Sequence, residues 1–110
     1  MKQYVIDDIR LEDYGKIKDY LGETYGKPDL GGIYWIPLLQ ELLTDVQAEH
    51  KGCHPLVFAV DLSEKRLECE FLVRTKKSMR CDCMGYATLT QRNWLIDYID
   101  TMLEKLGVIT

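Results

Sequence analysis

Hydrophobic and polar positions alternate with two different periods along this chain, and the switches between them mark its elements. Tyr4 to Asp8 reads as a short opening strand. From Arg10 to Leu21 the apolar residues Leu11, Tyr14, Ile17 and Leu21 recur at near-helical spacing, which predicts a helix with Asp8 as its N-cap. Gly22, Gly26, Pro28, Gly31 and Gly32 then predict a long loop. Ile33 to Ile36 reads as a strand that Pro37 ends or confines to a sheet edge, with Ile33 and Trp35 on one face and Tyr34 and Ile36 on the other. Leu38 to Leu43 fits helix and loop equally well. Thr44 opens a short helix running to about Lys51, because Thr44 with Gln47 makes a capping box, and Gly52 supplies the stop.

Leu56 to Val60 is apolar at every position, the pattern of a central strand covered on both faces. After the polar turn Ser63 to Arg66, the residues Leu67, Cys69, Phe71 and Val73 alternate with Glu68, Glu70, Leu72 and Arg74, which predicts a strand with one wet face. Thr75 to Ser78 turns the chain again, and Met79 to Tyr86 reads as a third strand, so the three form an antiparallel meander. Trp94, Leu95, Tyr98, Ile99, Met102, Leu103 and Leu106 form a wide apolar stripe on a helix from about Leu89 to Leu106. A second capping box, Thr88 with Gln91, starts that helix and Gly107 ends it. The expected fold is α+β: an antiparallel sheet of about four or five strands, with the long C-terminal helix and the N-terminal helix mostly on one face.

Composition narrows the function classes. Residues 1–110 are expected to form a single domain. Fourteen basic against eighteen acidic residues give a net charge of −4, which disfavours a general nucleic-acid binder. The start of the chain lacks the apolar core of a secretory signal, and no apolar run approaches the ~20 residues of a membrane span. A cytoplasmic protein with no membrane attachment is expected, and its four cysteines are then expected to be reduced. No HExxH, GxSxG, kinase, EF-hand or phosphate-loop motif is present, so no catalytic residue is assigned.

Four sets of residues remain as candidates. The first is Cys53, His54, Cys81 and Cys83, with His50 or Cys69 as additional ligands, because thiolate and imidazole are the preferred ligands of zinc. His50 and Cys53 stand three apart at a helix end and can share a face. Against a metal, Cys69, Cys81 and Cys83 are in phase with the inward residues of their strands, and free cysteine packs well as a small apolar group. Core packing is the favoured reading; a zinc or iron site is the alternative, and otherwise no cofactor is expected. Register decides between them: if Val73 faces Met79, then Phe71 faces Cys81 and Cys69 faces Cys83. Thiol-dependent catalysis is a further alternative, opposed by Asp82 beside the two cysteines and favoured by Arg80. The second set is the basic turn Arg74, Lys76, Lys77 and Arg80, read either as a contact for an anion or acidic partner or as a solvated hairpin tip. The third is Tyr34 and Trp35, beside a glycine-containing loop, as a candidate pocket. The fourth is His54 alone, as a base for a cysteine nucleophile, for which no orienting group can be named. The leading functional expectation is a binding module that acts through a protein partner or self-association; the alternative is a metal-binding protein.

Overall fold

A computed structural model describes residues 2–29, 31–77 and 81–108. It has an α+β architecture: a five-stranded antiparallel sheet and three helices, the longest at the C-terminal end. The strands are β1 (Gln3–Ile6), β2 (Ile33–Pro37), β3 (Leu56–Ser63), β4 (Arg66–Thr75) and β5 (Gly85–Tyr86). The helices are α1 (Leu11–Tyr25), α2 (Asp45–Glu49) and α3 (Leu89–Leu106). The sheet runs β1-β4-β3-β2, and β5 joins β4 beyond the end of β1. β2 therefore lies at an edge, where Pro37 removes no ladder hydrogen bond that a central strand would need.

Register explains which face is buried. Ile6 pairs with Leu67, Val60 with both Tyr34 and Cys69, and Phe58 with both Ile36 and Val73, so all eight point to one side. They form one apolar cluster with Ile17 and Leu21 of α1 and with Leu95, Ile99, Met102 and Leu103 of α3. Phe58 stacks on Trp94, and Trp94 on Tyr98, which extends the packing along α3. The opposite face is barer than the apolar run in β3 suggests. Val57 is buried but stands outside the core cluster, Ala59 is half-buried and Asp61 is exposed. The continuous run thus does not require a second covering layer; only its Leu56, Phe58 and Val60 enter the core.

Both capping boxes form. The Thr44 hydroxyl accepts from the Gln47 N–H and the Thr88 hydroxyl from the Gln91 N–H, while each glutamine carbonyl accepts from its threonine N–H. Gly107 closes α3 in the left-handed region at φ 71°.

Four sequence expectations change. α1 passes through Gly22 to Tyr25, because Leu21 and Tyr25 both pack inward, and the stop is Gly26 at φ 85°. Its N-cap is Arg10, with no side-chain cap; Asp8 sits at φ 55° and turns the chain. Leu11, expected on the buried stripe, is 72% exposed, while Asp13 is buried and held by Arg10 at 2.9 Å. α2 ends before Lys51, and a 3-10 turn over Lys51–Cys53 carries the chain through Gly52 to the cis His54–Pro55 peptide. Residues 38–43 are loop with one 3-10 turn, Gln40–Leu42. No helix of the described residues is long and apolar enough to cross a membrane.

The largest difference is the third strand of the meander. Of the described residues in that segment, only Gly85 and Tyr86 pair with β4, opposite Val73 and Leu72. Cys81 to Met84 instead form a turn, closed by the Met84 N–H on the Cys81 carbonyl at 3.0 Å. Met79 and Arg80, assigned to the start of that strand, lie outside the described residues. The expected facing of Cys81 with Phe71 and of Cys83 with Cys69 therefore does not occur.

Candidate metal centre

Two irregular segments build the site. The first is the exit of α2, where His50 leaves the helix at φ −86°, ψ 60° and the following 3-10 turn places Cys53 beside it. The Cys53 N–H donates to the His50 carbonyl at 2.9 Å, so a single backbone hydrogen bond fixes the spacing of these two residues. The second is the turn Cys81 to Met84. A turn curls the two cysteine side chains toward a common point, which an extended strand with about 7 Å between alternate Cα atoms does less readily.

The result is a cluster of one imidazole and three thiols. Nδ1 or Nε2 of His50 and the Sγ atoms of Cys53, Cys81 and Cys83 all lie within 4.8 Å of one another. His50 Nδ1 is 2.8 Å from Cys81 Sγ, and Cys53 Sγ is 3.4 Å from Cys81 Sγ. Tetrahedral bonds of about 2.3 Å to sulfur and 2.0–2.1 Å to nitrogen separate the ligand atoms by ~3.5–3.8 Å. The cluster spans that range, so these four side chains can hold a metal ion. Cys83 is buried and the other three are half-buried.

Electrostatics within the cluster are uneven. Hydrogen bonds from the Cys83 thiol and backbone N–H, and then from His50, pull the Cys81 thiol down to about 6, against a smaller opposing effect of burial. Burial pushes Cys83 up to about 12, and the neighbouring thiols add to it. The Cys53 thiol is raised chiefly by its hydrogen bond to Cys81. Three sulfurs without an ion thus favour one thiolate, at Cys81, stabilised by its protonated neighbours. A divalent cation held by these four side chains would replace those protons as the source of positive charge, because metal binding to thiols releases protons.

Behind the ligands runs a chain of buried amides. The Gln91 amide N–H donates to the Leu42 carbonyl at 2.7 Å and to the Gln47 side-chain carbonyl at 2.9 Å. The Gln47 amide N–H donates in turn to the Cys83 carbonyl at 3.2 Å. The two N3 glutamines of the capping boxes therefore connect the start of α3, the start of α2 and the cysteine turn. On the other side, the Thr75 hydroxyl donates to the Cys53 carbonyl at 2.6 Å. Partners of this kind orient ligand-bearing backbone.

The sequence-derived set is thus partly reassembled. Cys53, Cys81 and Cys83 come together, with His50 as the imidazole. His54 does not join them: its Nε2 is 2.7 Å from the Gln47 carbonyl, so it braces the end of α2. The choice between the two histidines turns on helix geometry. His50 and Cys53 face the same way across one turn, while His54 follows the chain out toward Pro55. Cys69 is also apart, wholly buried in the core and paired with Tyr4 and Val60. Core packing holds for Cys69, but Cys53 and Cys81 are neither in a strand nor fully buried. Gln47 and Gln91 were legible as helix caps; nothing in the sequence signalled that they meet each other.

Comparison of the chain with protein-family models, with curated proteins and with solved structures finds no match.

The other candidates disperse. Arg74 is 2.6 Å from Glu70, and Lys76 pairs with Asp29 at 3.6 Å while its ammonium lies over the Trp35 ring. These two charges are engaged within the protein. Lys77 is exposed with its N–H on the Thr75 hydroxyl, and Arg80 lies outside the described residues. Tyr34 and Trp35 point to opposite faces of β2: Tyr34 enters the core, and the Trp35 indole donates to Asp29 at 2.7 Å.

Proposed function

We propose that this chain is a small zinc-binding domain in which His50, Cys53, Cys81 and Cys83 hold one ion in a closed structural site. The observation that carries the reading is the convergence of four such ligand atoms, from two segments 28 residues apart between Cys53 and Cys81, within 4.8 Å. Three thiolates and one imidazole are a typical ligand set of structural zinc sites. Iron–sulfur clusters are held mostly by four cysteines, so the imidazole favours zinc over iron. With four protein ligands no open coordination position is left for a substrate, which favours a structural over a catalytic ion. The ion would tie the cysteine turn before β5 to the exit of α2, two segments otherwise joined by single hydrogen bonds such as that from Gln47 to Cys83.

Elemental analysis of tag-free protein tests this. Stoichiometric zinc is expected in the wild type and in His54→Ala, and none in Cys81→Ala. Wild-type protein that takes up no zinc after refolding with it overturns the reading.

A binding-module reading has one observation in its favour. The sheet face away from the helices carries Ile33, Trp35, Ala59 and Leu72, all half-buried, on four positions of three strands. A protein partner or a second copy of the chain would cover them. Light scattering across a concentration series tests self-association: a monomer at every concentration rejects it.

A further inference from the structure

β4 carries two strands end to end on one edge. β1 pairs with Leu67 through Glu70, β5 pairs with Leu72 and Val73, and Phe71 sits at the seam between them. The Phe71 N–H donates to the Lys2 carbonyl at 3.1 Å, and its carbonyl accepts from the Ala87 N–H at 2.8 Å. On the opposite edge of β4 the pairing with β3 slips at the same level, between Phe58 and Val60. A bulge opposite a seam breaks the regular covering of side chains, and bulges are frequent beside functional sites.

A cavity of about 400 Å³ opens at this seam, lined by Lys2, Gln3, Phe71, Tyr86, Ala87 and Arg92. Its size falls in the range of small-molecule sites. Every charge in its lining is positive, in a chain whose net charge is −4. Neither Lys2 nor Arg92 enters a salt bridge among the described residues. Lys2 instead lies over the Tyr86 ring, 5.4 Å from its centroid. Arg92 stands four residues after the Thr88 N-cap, at the positive end of an 18-residue helix with no acid in its first turn. By contrast, α1 carries Glu12 and Asp13 in its first turn, where acids are stabilising. Two cations that form no salt bridge among the described residues therefore line one cavity together with Phe71 and Tyr86.

We propose that this seam cavity binds a small organic anion with a flat apolar body, an aromatic carboxylate. The Arg92 guanidinium suits two-pronged recognition of a carboxylate, Lys2 adds charge, and Phe71 and Tyr86 offer ring surface. The proposal is independent of the metal centre.

Amide NMR titration of the full chain with benzoate, benzyl alcohol and acetate tests it. Benzoate is expected to give saturable shifts at Phe71, Tyr86, Ala87 and Arg92, with at least about tenfold higher affinity than the neutral or the ring-free probe. Arg92→Gln, at an exposed position, is expected to weaken benzoate about tenfold with an unchanged amide spectrum elsewhere. Tyr86→Ala, also exposed, serves as a second variant and is expected to weaken benzoate while leaving acetate unaffected. Equal affinity for benzoate and benzyl alcohol, no saturation up to the solubility limit, or full affinity in Arg92→Gln overturns the proposal.

Discussion

Cys69 and Cys81 carry the same side chain into opposite environments. Cys69 sits mid-strand between Tyr4 and Val60, where the ladder and the alternation of the pleat leave it one direction to point. Burial, with the charge of Asp100 adding, pushes its thiol up to about 12. Cys81 sits in a turn, where hydrogen bonds from Cys83 and His50 hold its thiol at about 6. Regular pairing makes a cysteine inert filler, and irregular backbone lets cysteines distant in sequence share a centre. The four candidate ligand atoms converge where Cys81 and Cys83 stand in a turn and not in a strand.

The largest effect should separate these two regions outright. Cys81→Ala is expected to abolish stoichiometric zinc and with it the zinc-dependent gain in folding free energy, which for structural zinc sites is about several kcal/mol or more. Cys69→Ala is expected to keep the zinc and to lower stability by about 1–2 kcal/mol through the cavity it leaves. Both are read by elemental analysis and chemical denaturation on the same preparations.

Next comes the support behind the ligands. Gln47→Ala removes a capping box, the donor to the Cys83 carbonyl and the acceptor for the Gln91 amide. The expected loss is about 2–3 kcal/mol, together with weaker zinc affinity by about 10–100-fold in a competition titration with a chelator. Unchanged zinc affinity in this variant would show that the amide chain supports the fold alone.

The two histidines give a smaller and more selective contrast. His50→Ala is expected to lose zinc, whereas His54→Ala retains it and loses about 1 kcal/mol with the hydrogen bond to Gln47.

The smallest effect lies far from the cluster. Tyr4 donates to Asp100 at 2.5 Å, and burial with that hydrogen bond raises its phenol from 10.0 to about 12. A group whose folded value is raised binds its proton longer in the folded than in the unfolded state. Its contribution is therefore present below pH 10 and declines as the pH rises toward 12. Urea denaturation from pH 9 to 11.5 (about the range in which tyrosine titrates) is expected to show a shallower alkaline decline in Tyr4→Phe than in the wild type.

The elements that local chemistry dictates were legible in the sequence. α3 runs from Leu89 to Leu106 as its stripe and caps predict, and β3 and β4 follow their apolar patterns. Both capping boxes form. Long-range geometry was not legible. Five residues separate Thr75 from Cys81 in the sequence, and no pattern within them specifies a register. Which side chains meet Cys53 depends on that register. Cys53, Cys81 and Cys83 are identifiable from residue type, with His54 as the expected imidazole and His50 as an additional one; the structure brings His50, and not His54, beside the three sulfurs. The phase of a short helix and its 3-10 exit decides between two histidines four residues apart, and Gly52, a helix stop by its sequence, lies in the 3-10 turn after α2 has ended.

X-ray absorption at the zinc edge of tag-free, zinc-loaded protein tests the central claim most directly. The account predicts a first shell of three sulfurs at about 2.3 Å and one nitrogen at about 2.0–2.1 Å. A shell of oxygen and nitrogen alone, or one unchanged in Cys81→Ala, would contradict it.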